Sequence, residues 1–321
     1  MNRKAGVLIN PSAGRGNGKG LRLAVELQNA KQVDVRLLEA FDHLPDQLTA
    51  FAAEGVTDLF ISSGDGTVQA VQTLLAEADI FKALPRLCIL PHGTTNLTGG
   101  DVGFRRKSIA AQSAFIATLP HPQVQRRNSL RVANRRDGQI RHGMTLGAGA
   151  AARGTRHAQQ AYNDQGVKGA LASFSTIVGG LAKSAISRPN IDDPRRLDRP
   201  CIMDIRHEGL EVAKGPHLMF VATTLNHLFF KTRPFWGGRR GPIRASVFPF
   251  PPPNVLRWAL PMMYGGEYRS APTGAHSFSG SSFEITSDEP FVMDGEFFDG
   301  PENGLLQVST GPEFEFIIGP N

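Results

Sequence analysis

Along the first 120 residues, short apolar runs alternate with longer stretches of helical periodicity. Residues 5–10 (Ala-Gly-Val-Leu-Ile-Asn) predict a buried strand, followed by a glycine-rich segment at 11–20 and a helix to about residue 29. Residues 33–38 alternate apolar and polar positions and predict a second strand, with a helix around 44–53. A third strand at 59–62 leads through Ser63-Gly64-Asp65-Gly66-Thr67 into a helix marked by Val68, Val71, Leu74 and Leu75. A fourth buried strand at 87–90 ends in Pro91-His92-Gly93-Thr94-Thr95-Asn96. Strands alternating with helices predict an α/β domain built on a doubly wound, Rossmann-like parallel sheet. Ligands of such sheets sit beyond the carboxyl ends of the strands. Three of those ends carry unusual loops, at 10–20, 63–67 and 91–96.

After about residue 120 the pattern changes. Segments 130–133 and 140–146 flank Asp137-Gly138, a hairpin turn signal. Further short strands are predicted at 201–206, 218–223, 278–285, 290–293 and 305–308, with one helical insert between about 158 and 187. This half predicts an antiparallel, β-sandwich-like domain. The expected division is therefore 1–122 for the α/β domain and 123–307 for the β-rich domain. The last strand, around 313–318, suits either, so residues 308–321 are candidates to rejoin the first domain.

The 321 residues are 40% hydrophobic and 20% charged, an ordinary globular composition. The net charge of +6 is carried partly by arginine pairs at 105–106, 126–127, 135–136, 195–196 and 239–240. These suit either a solvated basic surface or attraction to anionic lipid or nucleotide. No nucleic-acid motif accompanies them, which ranks nucleic acid last as a partner. Cys88 and Cys201 stand in apolar runs at no metal-site spacing, so buried free thiols in a reducing compartment are expected. Residues 1–20 hold no signal-peptide core. The nearest approach to a membrane span, 167–186, is interrupted by Lys168, Lys183 and Gly179-Gly180 and predicts an amphipathic or buried helix.

The 63–67 turn carries the clearest chemistry. Glycines let backbone amides approach a ligand, and a helix N-terminus favours phosphate. The plain alternative is a simple strand-to-helix connection. Asp294-Gly295-Glu296 follows the apolar Phe291-Val292-Met293 and places two carboxylates at a strand end. That pattern suits a metal or a general base, while Asp-Gly alone also marks an ordinary hairpin turn. Other chemistries fail on spacing. The 10–20 loop has Gly20 where a Walker A motif needs Ser or Thr, and Ala13 where it needs its first glycine. No dinucleotide fingerprint, zinc cluster or serine-hydrolase elbow stands in the chain. His92 reads as a turn residue.

The ordered set Asn10-Pro11-x-x-Gly14, Ser63 to Thr67, Pro91-x-Gly93-Thr94-x-Asn96 and Asp294-Gly295-Glu296 resembles the diacylglycerol kinase catalytic family, which includes sphingosine and ceramide kinases. The resemblance spans residues 5 to about 318. It implies an N-terminal nucleotide domain like that of NAD kinase and phosphofructokinase, and a C-terminal β-rich lipid-binding domain. It implies transfer of the ATP γ-phosphate to a lipid hydroxyl with magnesium, by an enzyme of the cytoplasm peripheral to the inner membrane face. Carried over by position, Asn10, Gly14, Gly64, Asp65, Gly66, Thr67, Gly93, Thr94 and Asn96 would hold the nucleotide. Asp294 would be the general base, with Asp65 the base in the sphingosine kinase branch. Asp65 and Glu296 would serve the metal, Glu296 also the nucleotide.

The sequence departs from the family in three places. Ser63 replaces the usual glycine, a mild change. Ala70 replaces the usual glutamate, and Leu97 the acid after the matched asparagine, with Asp101 four residues later. The two lost acids bear on metal binding. Aromatic and proline-rich segments at 228–236 and 247–253, with Arg239-Arg240 between them, suggest a membrane interface. The alternatives are a kinase for a soluble substrate such as NAD, against which the late Asp-Gly-Glu and the aromatic segments argue, and a non-catalytic nucleotide or lipid sensor. Neither the lipid nor the oligomeric state is legible.

Overall fold

The computed structural model describes residues 3–94, 96–134, 136–165, 196, 199–228, 231–251, 263–301 and 304–320. The chain forms two compact units, residues 1–129 with 312–321, and residues 130–311.

In the first unit, strands β1 (Ala5–Ile9), β2 (Val33–Leu37), β3 (Asp58–Ser63) and β4 (Arg86–Pro91) are all parallel, in the order β2-β1-β3-β4. The connecting helices are α1 (Ala13–Gly16), α2 (Lys19–Leu27), α3 (Leu44–Ala53), α4 (Asp65–Glu77), α5 (Leu97–Val102) and α6 (Ile109–Thr118). Every residue of β1 and β3 is buried, as expected of parallel strands covered on both faces. On one face Leu23 and Leu27 of α2 and Phe115 and Ile116 of α6 pack with Val7, Ile9, Phe60 and Cys88. On the other, a Cβ at Gly6 would lie 2.8 Å from Phe51 of α3, so glycine lets that helix close onto the sheet. The order reverses between β1 and β3, and that switch point is where open α/β sheets bind ligands.

At the opposite end of β3, the carboxylate of Asp58 is fully buried and held by two arginines. Arg3 Nε lies 3.1 Å and Arg86 Nε 2.8 Å from it, and Thr57 Oγ1 donates a third bond at 2.9 Å. Removing one partner of such a group typically costs about 3–5 kcal/mol.

The second unit is β-rich. Its elements are β5 (Pro122–Asn134, entering from the first unit), β6 (Gln139–Gly143), β7 (Thr145–Gly149), α7 (Ala150–Gln165), β8 (Cys201–Ile202), β9 (Asp204–His207), β10 (Leu210–Ala213), β11 (Pro216–Thr223), β12 (Arg233–Trp236), β13 (Ile243–Pro249), β14 (Tyr264–Gly266), β15 (His276–Gly280), β16 (Ser282–Thr286), β17 (Phe291–Met293), β18 (Glu296–Phe298) and β19 (Leu305–Pro320, which leaves for the first unit). One layer has the order β15-β13-β11-β7-β17-β18, and the other runs β10-β9-β16-β19 with antiparallel pairing. Phe220, Val247, Phe291 and Met293 of the first layer meet Ile205, Phe283, Ile285 and Val308 of the second in one core.

Three apolar runs that predict single strands break instead. Residues 140–146 divide at Met144 into β6 and β7, 201–206 at Met203 into β8 and β9, and 278–285 at Ser281 into β15 and β16. Each break moves the chain from one layer to the other. Such switching strands make the corners of sandwiches. The helical insert begins earlier than expected, at Ala150. Its remainder, including the 167–186 segment, lies outside the described residues. Cys88 and Cys201 are buried and free, and desolvation raises both thiols above their usual range. Among the described residues, no helix is long and apolar enough to cross a membrane.

The last strand joins the first unit. Phe316 pairs in parallel with Leu87 of β4 and is fully buried. Phe316→Ala should therefore destabilise the first unit by about 3–5 kcal/mol. Thermal denaturation followed by hydrogen exchange checks this, and unchanged protection of β4 would contradict the placement.

Candidate active site

Three loops at the carboxyl ends of β1, β3 and β4 meet in the first unit. The loop after β1 is pinned from both sides by Asn10. Its backbone N–H donates to Ser62 O at 3.1 Å, its Nδ2 donates to Thr67 Oγ1 at 3.2 Å, and its Oδ1 accepts from Ser12 N at 3.0 Å. The loop then runs through left-handed backbone at Gly14, Arg15, Gly16 and Gly18. Gly14 is required for space as well, because a Cβ there would lie 2.5 Å from the carbonyl oxygen of His92. Asn17 ties the same loop to the third, donating from Nδ2 to His92 O at 3.0 Å.

The β3–α4 turn places Gly64 extended and starts α4 at Asp65 with no side-chain cap. The first-turn amides of a helix have no partner within it, so the Asp65-Gly66-Thr67 end presents donors and positive potential. The turn after β4 folds on itself: Gly93 N donates to Asn96 Oδ1 at 3.0 Å, and Asn96 Nδ2 donates to Gly93 O at 2.8 Å. Gly93 lies flat against Gly64, where an added Cβ would come within 2.7 Å of the Gly64 Cα. Thr94 is exposed beside it.

Asp65 joins the second loop to the third. Its Oδ2 accepts from Leu97 N at 3.0 Å and its Oδ1 from Thr98 N at 3.2 Å, the two free amides that open α5. The structure thus brings Asn10, Gly14, Gly64, Asp65, Gly66, Thr67, Gly93 and Asn96 to one place. Glycine-walled backbone, the uncapped start of α4 and one carboxylate form a cradle suited to an anion, while at the start of α2 Lys19 N already donates to Asn17 Oδ1 at 2.9 Å.

The departures have physical consequences. Leu97 contributes its backbone amide to Asp65, for which its side chain is immaterial. Asp101 does not replace the missing acid, because Arg127 Nε holds it at 3.2 Å with both side chains almost fully covered. Ala70 is half-buried on α4. Among the described residues, no group of three or more His, Cys, Asp or Glu is placed to hold a metal.

Behind the cradle, His92 is buried, not a surface turn residue. Its Nδ1 lies 2.8 Å from Ser62 Oγ and its Nε2 lies 2.9 Å from Gln112 Oε1. Gln112 Nε2 donates to Arg106 O at 3.0 Å, which leaves Oε1 facing the ring. The ring proton therefore sits on Nε2, and Nδ1 accepts from Ser62. Burial pulls the His92 pKa down to about 4, assisted by the nearby cations of Lys19 and Arg22 and opposed by the bond to Gln112.

In the second unit, Asp294 and Gly295 form the two-residue turn between β17 and β18, with φ of 48° and 90° and Met293 paired to Glu296. The hairpin alternative and a special carboxylate coexist here. Asp294 is 2% exposed. Its carboxylate accepts from Met144 N and Thr145 N at 2.8 Å each and from Thr145 Oγ1 at 2.9 Å. Three donors fix its position. Gly143 lies so close that a Cβ would meet Asp294 Oδ2 at 2.5 Å. Glu296 is exposed on β18.

The aromatic segments correct an expectation. Phe235, Trp236 and Phe248 are core residues at 6%, 4% and 0% exposure, so they cannot form a membrane-facing surface. Residues 229, 230, 252 and 253 of those segments lie outside the described residues.

Residues 4–123 match the diacylglycerol kinase catalytic domain model. The whole fold is similar to that of a solved structure from Bacillus anthracis described as a diacylglycerol kinase, with TM-score 0.64 and 15% identity, covering 99% of this chain and 97% of that one. A second Bacillus anthracis structure, provisionally named a diacylglycerol kinase, aligns with TM-score 0.66 and 16% identity over 99% and 98% of the two chains. No curated protein sequence matches the chain.

Two outcomes follow from the site. Gly93→Val should destabilise the first unit by about 1–3 kcal/mol, because the new side chain drives the third loop from Gly64; an unchanged unfolding temperature would contradict the close approach. The second outcome concerns pH. An unfolded His92 titrates near its ordinary 6.5 and the folded one near 4. Between those values only the unfolded chain takes up the proton, so stability present above pH 6.5 is lost as pH falls toward 4. The unfolding temperature of the native protein should fall more steeply across that window than that of His92→Asn; parallel curves would show that His92 is solvated.

Proposed function

We propose that the protein is an ATP-dependent lipid kinase that transfers the γ-phosphate to a hydroxyl of diacylglycerol or a sphingoid-type lipid. The observation that carries this reading is the three-loop cradle at the β1/β3 switch point, within the segment that matches the diacylglycerol kinase catalytic domain. Backbone amides at the start of α4 suit phosphate oxygens, and Asp65 stands among them.

The residues fit a magnesium ion that arrives with its nucleotide. Magnesium keeps most of its water and uses one or two carboxylates beside phosphate oxygens. A single central carboxylate, Asp65, beside backbone amides suited to phosphate matches that demand, and Glu296 is the second proposed contributor. When bound, the metal neutralises charge on the transferring phosphoryl group.

Asp294 is proposed to receive the proton of the attacking hydroxyl. Phosphoryl transfer passes through a loose transition state in which positioning and electrostatics dominate. A fixed acceptor meets that need, and three donors fix Asp294. A lipid acceptor is supported by the match of residues 4–123 to the diacylglycerol kinase catalytic domain. Peripheral contact with an anionic membrane on the cytoplasmic side is supported by Arg105, Arg106, Arg239 and Arg240, which are exposed with no carboxylate partner among the described residues. A second reading, a nucleotide sensor without turnover, is favoured by one observation: Asp101 is committed to Arg127 and does not restore the acid lost at Leu97.

The test is incubation with γ-labelled ATP, magnesium and a total lipid extract. A labelled lipid is expected from the native protein. Asp294→Asn should lower turnover by about 10²–10⁴-fold while nucleotide affinity stays within a few-fold. Asp65→Asn should weaken magnesium-dependent ATP binding by about tenfold or more, since it also frees the start of α5. ATP binding without any labelled lipid would favour the sensor.

A further inference from the structure

The buried chain Ser62–His92–Gln112, which ends on the backbone carbonyl of the exposed Arg106, belongs to no part of the proposed chemistry, yet it lies directly behind the cradle. Ser62 is the penultimate residue of β3, two before Gly64. His92 follows β4 and precedes Gly93. Gln112 stands on α6, and its amide closes onto the carbonyl of Arg106 in the segment before that helix. Ser62, His92 and Gln112 are all 0–1% exposed. Two of the three cradle loops also rest on this chain. The carbonyl of His92 accepts from Asn17 and walls Gly14. Ser62 Oγ would lie 2.7 Å from a Cβ at Gly20, so the first turn of α2 is seated on the same group.

We infer that His92 is a positioning residue whose neutral ring, fixed in one tautomer by Ser62 and Gln112, sets the Gly93 loop against Gly64 and thereby the phosphate cradle. A ring bonded at both nitrogens has neither rotational nor tautomeric freedom, and the backbone that carries it inherits that order. Side-chain shells behind a site act by this kind of orientation. The α6 helix thus becomes part of the site without touching ligand.

The inference rests on the reading of the cradle as a nucleotide site, and the experiment separates the two. Magnesium-ATP affinity is measured by calorimetry, well below each protein's unfolding temperature, for the native chain, Gln112→Met, Ser62→Ala and Arg86→Met. Gln112→Met keeps the shape but removes the acceptor of the ring N–H. Ser62→Ala removes the donor to Nδ1 and stands in if Gln112→Met does not fold. Arg86→Met breaks the Asp58 ion pair at the far end of β3 and is the control for stability alone.

The expected result is affinity about tenfold weaker in Gln112→Met and Ser62→Ala, with Arg86→Met destabilised but binding as the native chain does. Native-like affinity in folded Gln112→Met or Ser62→Ala would overturn the positioning role. Equal weakening in Arg86→Met would overturn it too, because loss of stability alone would then explain the effect. Absence of binding in the native chain would instead remove the nucleotide reading itself.

Discussion

The two hydrogen bonds from Leu97 and Thr98 amides to Asp65 are the constraint on which the site depends. They join the start of α4 to the start of α5, and so hold the second loop to the third. The carboxylate answers the unpaired donors of one helix while standing at the first position of another, so both dipoles are satisfied by one group. The remaining ties follow from that junction. Asn10 spans from β1 to Thr67, Asn17 reaches the His92 carbonyl, and Gly93 closes on Gly64. Without Asp65 the α5 start would lack its cap, and the third loop would be held only by the Gly93–Asn96 pair and the groups behind it.

Much of this was legible because the loops announce themselves by residue type. Glycine at 14 and 93 answers close approach, Asn96 takes a left-handed backbone, and Asn10 bonds across the loops through its side chain. The parallel sheet was legible from alternating apolar runs. What joins the loops was not. Leu97 and Thr98 act through backbone amides, which carry no side-chain signal, and they lie more than thirty residues from Asp65. His92 looked like a turn residue because its neighbours form a turn, and its partners on β3 and α6 are distant in sequence. Helix α6 itself was hidden: Ile109, Ala110, Ala111, Ala114, Phe115 and Ile116 are apolar on every side, so no stripe marks a face.

In the second unit the limits were of another kind. Alternation of period two continues through Met144 and Met203, where the chain changes layers, so the pattern predicts one strand where there are two; at Ser281 the phase shifts between Phe278 and Phe283, the one sign of that break. The Asp294 turn shows how a modest motif acquires meaning from its surroundings. Asp-Gly is an ordinary hairpin signal, but here the carboxylate folds back onto the start of β7 and is held by three donors, with Gly143 cleared away beside it. The aromatic residues show the converse, since Phe235, Trp236 and Phe248 serve the core.

The central claim is that the three strand-end loops act as one phosphate site. Backbone hydrogen exchange with and without magnesium-ATP tests it most directly. The account predicts that residues 10–18, 63–67 and 93–98 gain protection together, with α3 and the Asp58 end of β3 unchanged. Protection confined to one loop, or appearing only elsewhere in the chain, would contradict it.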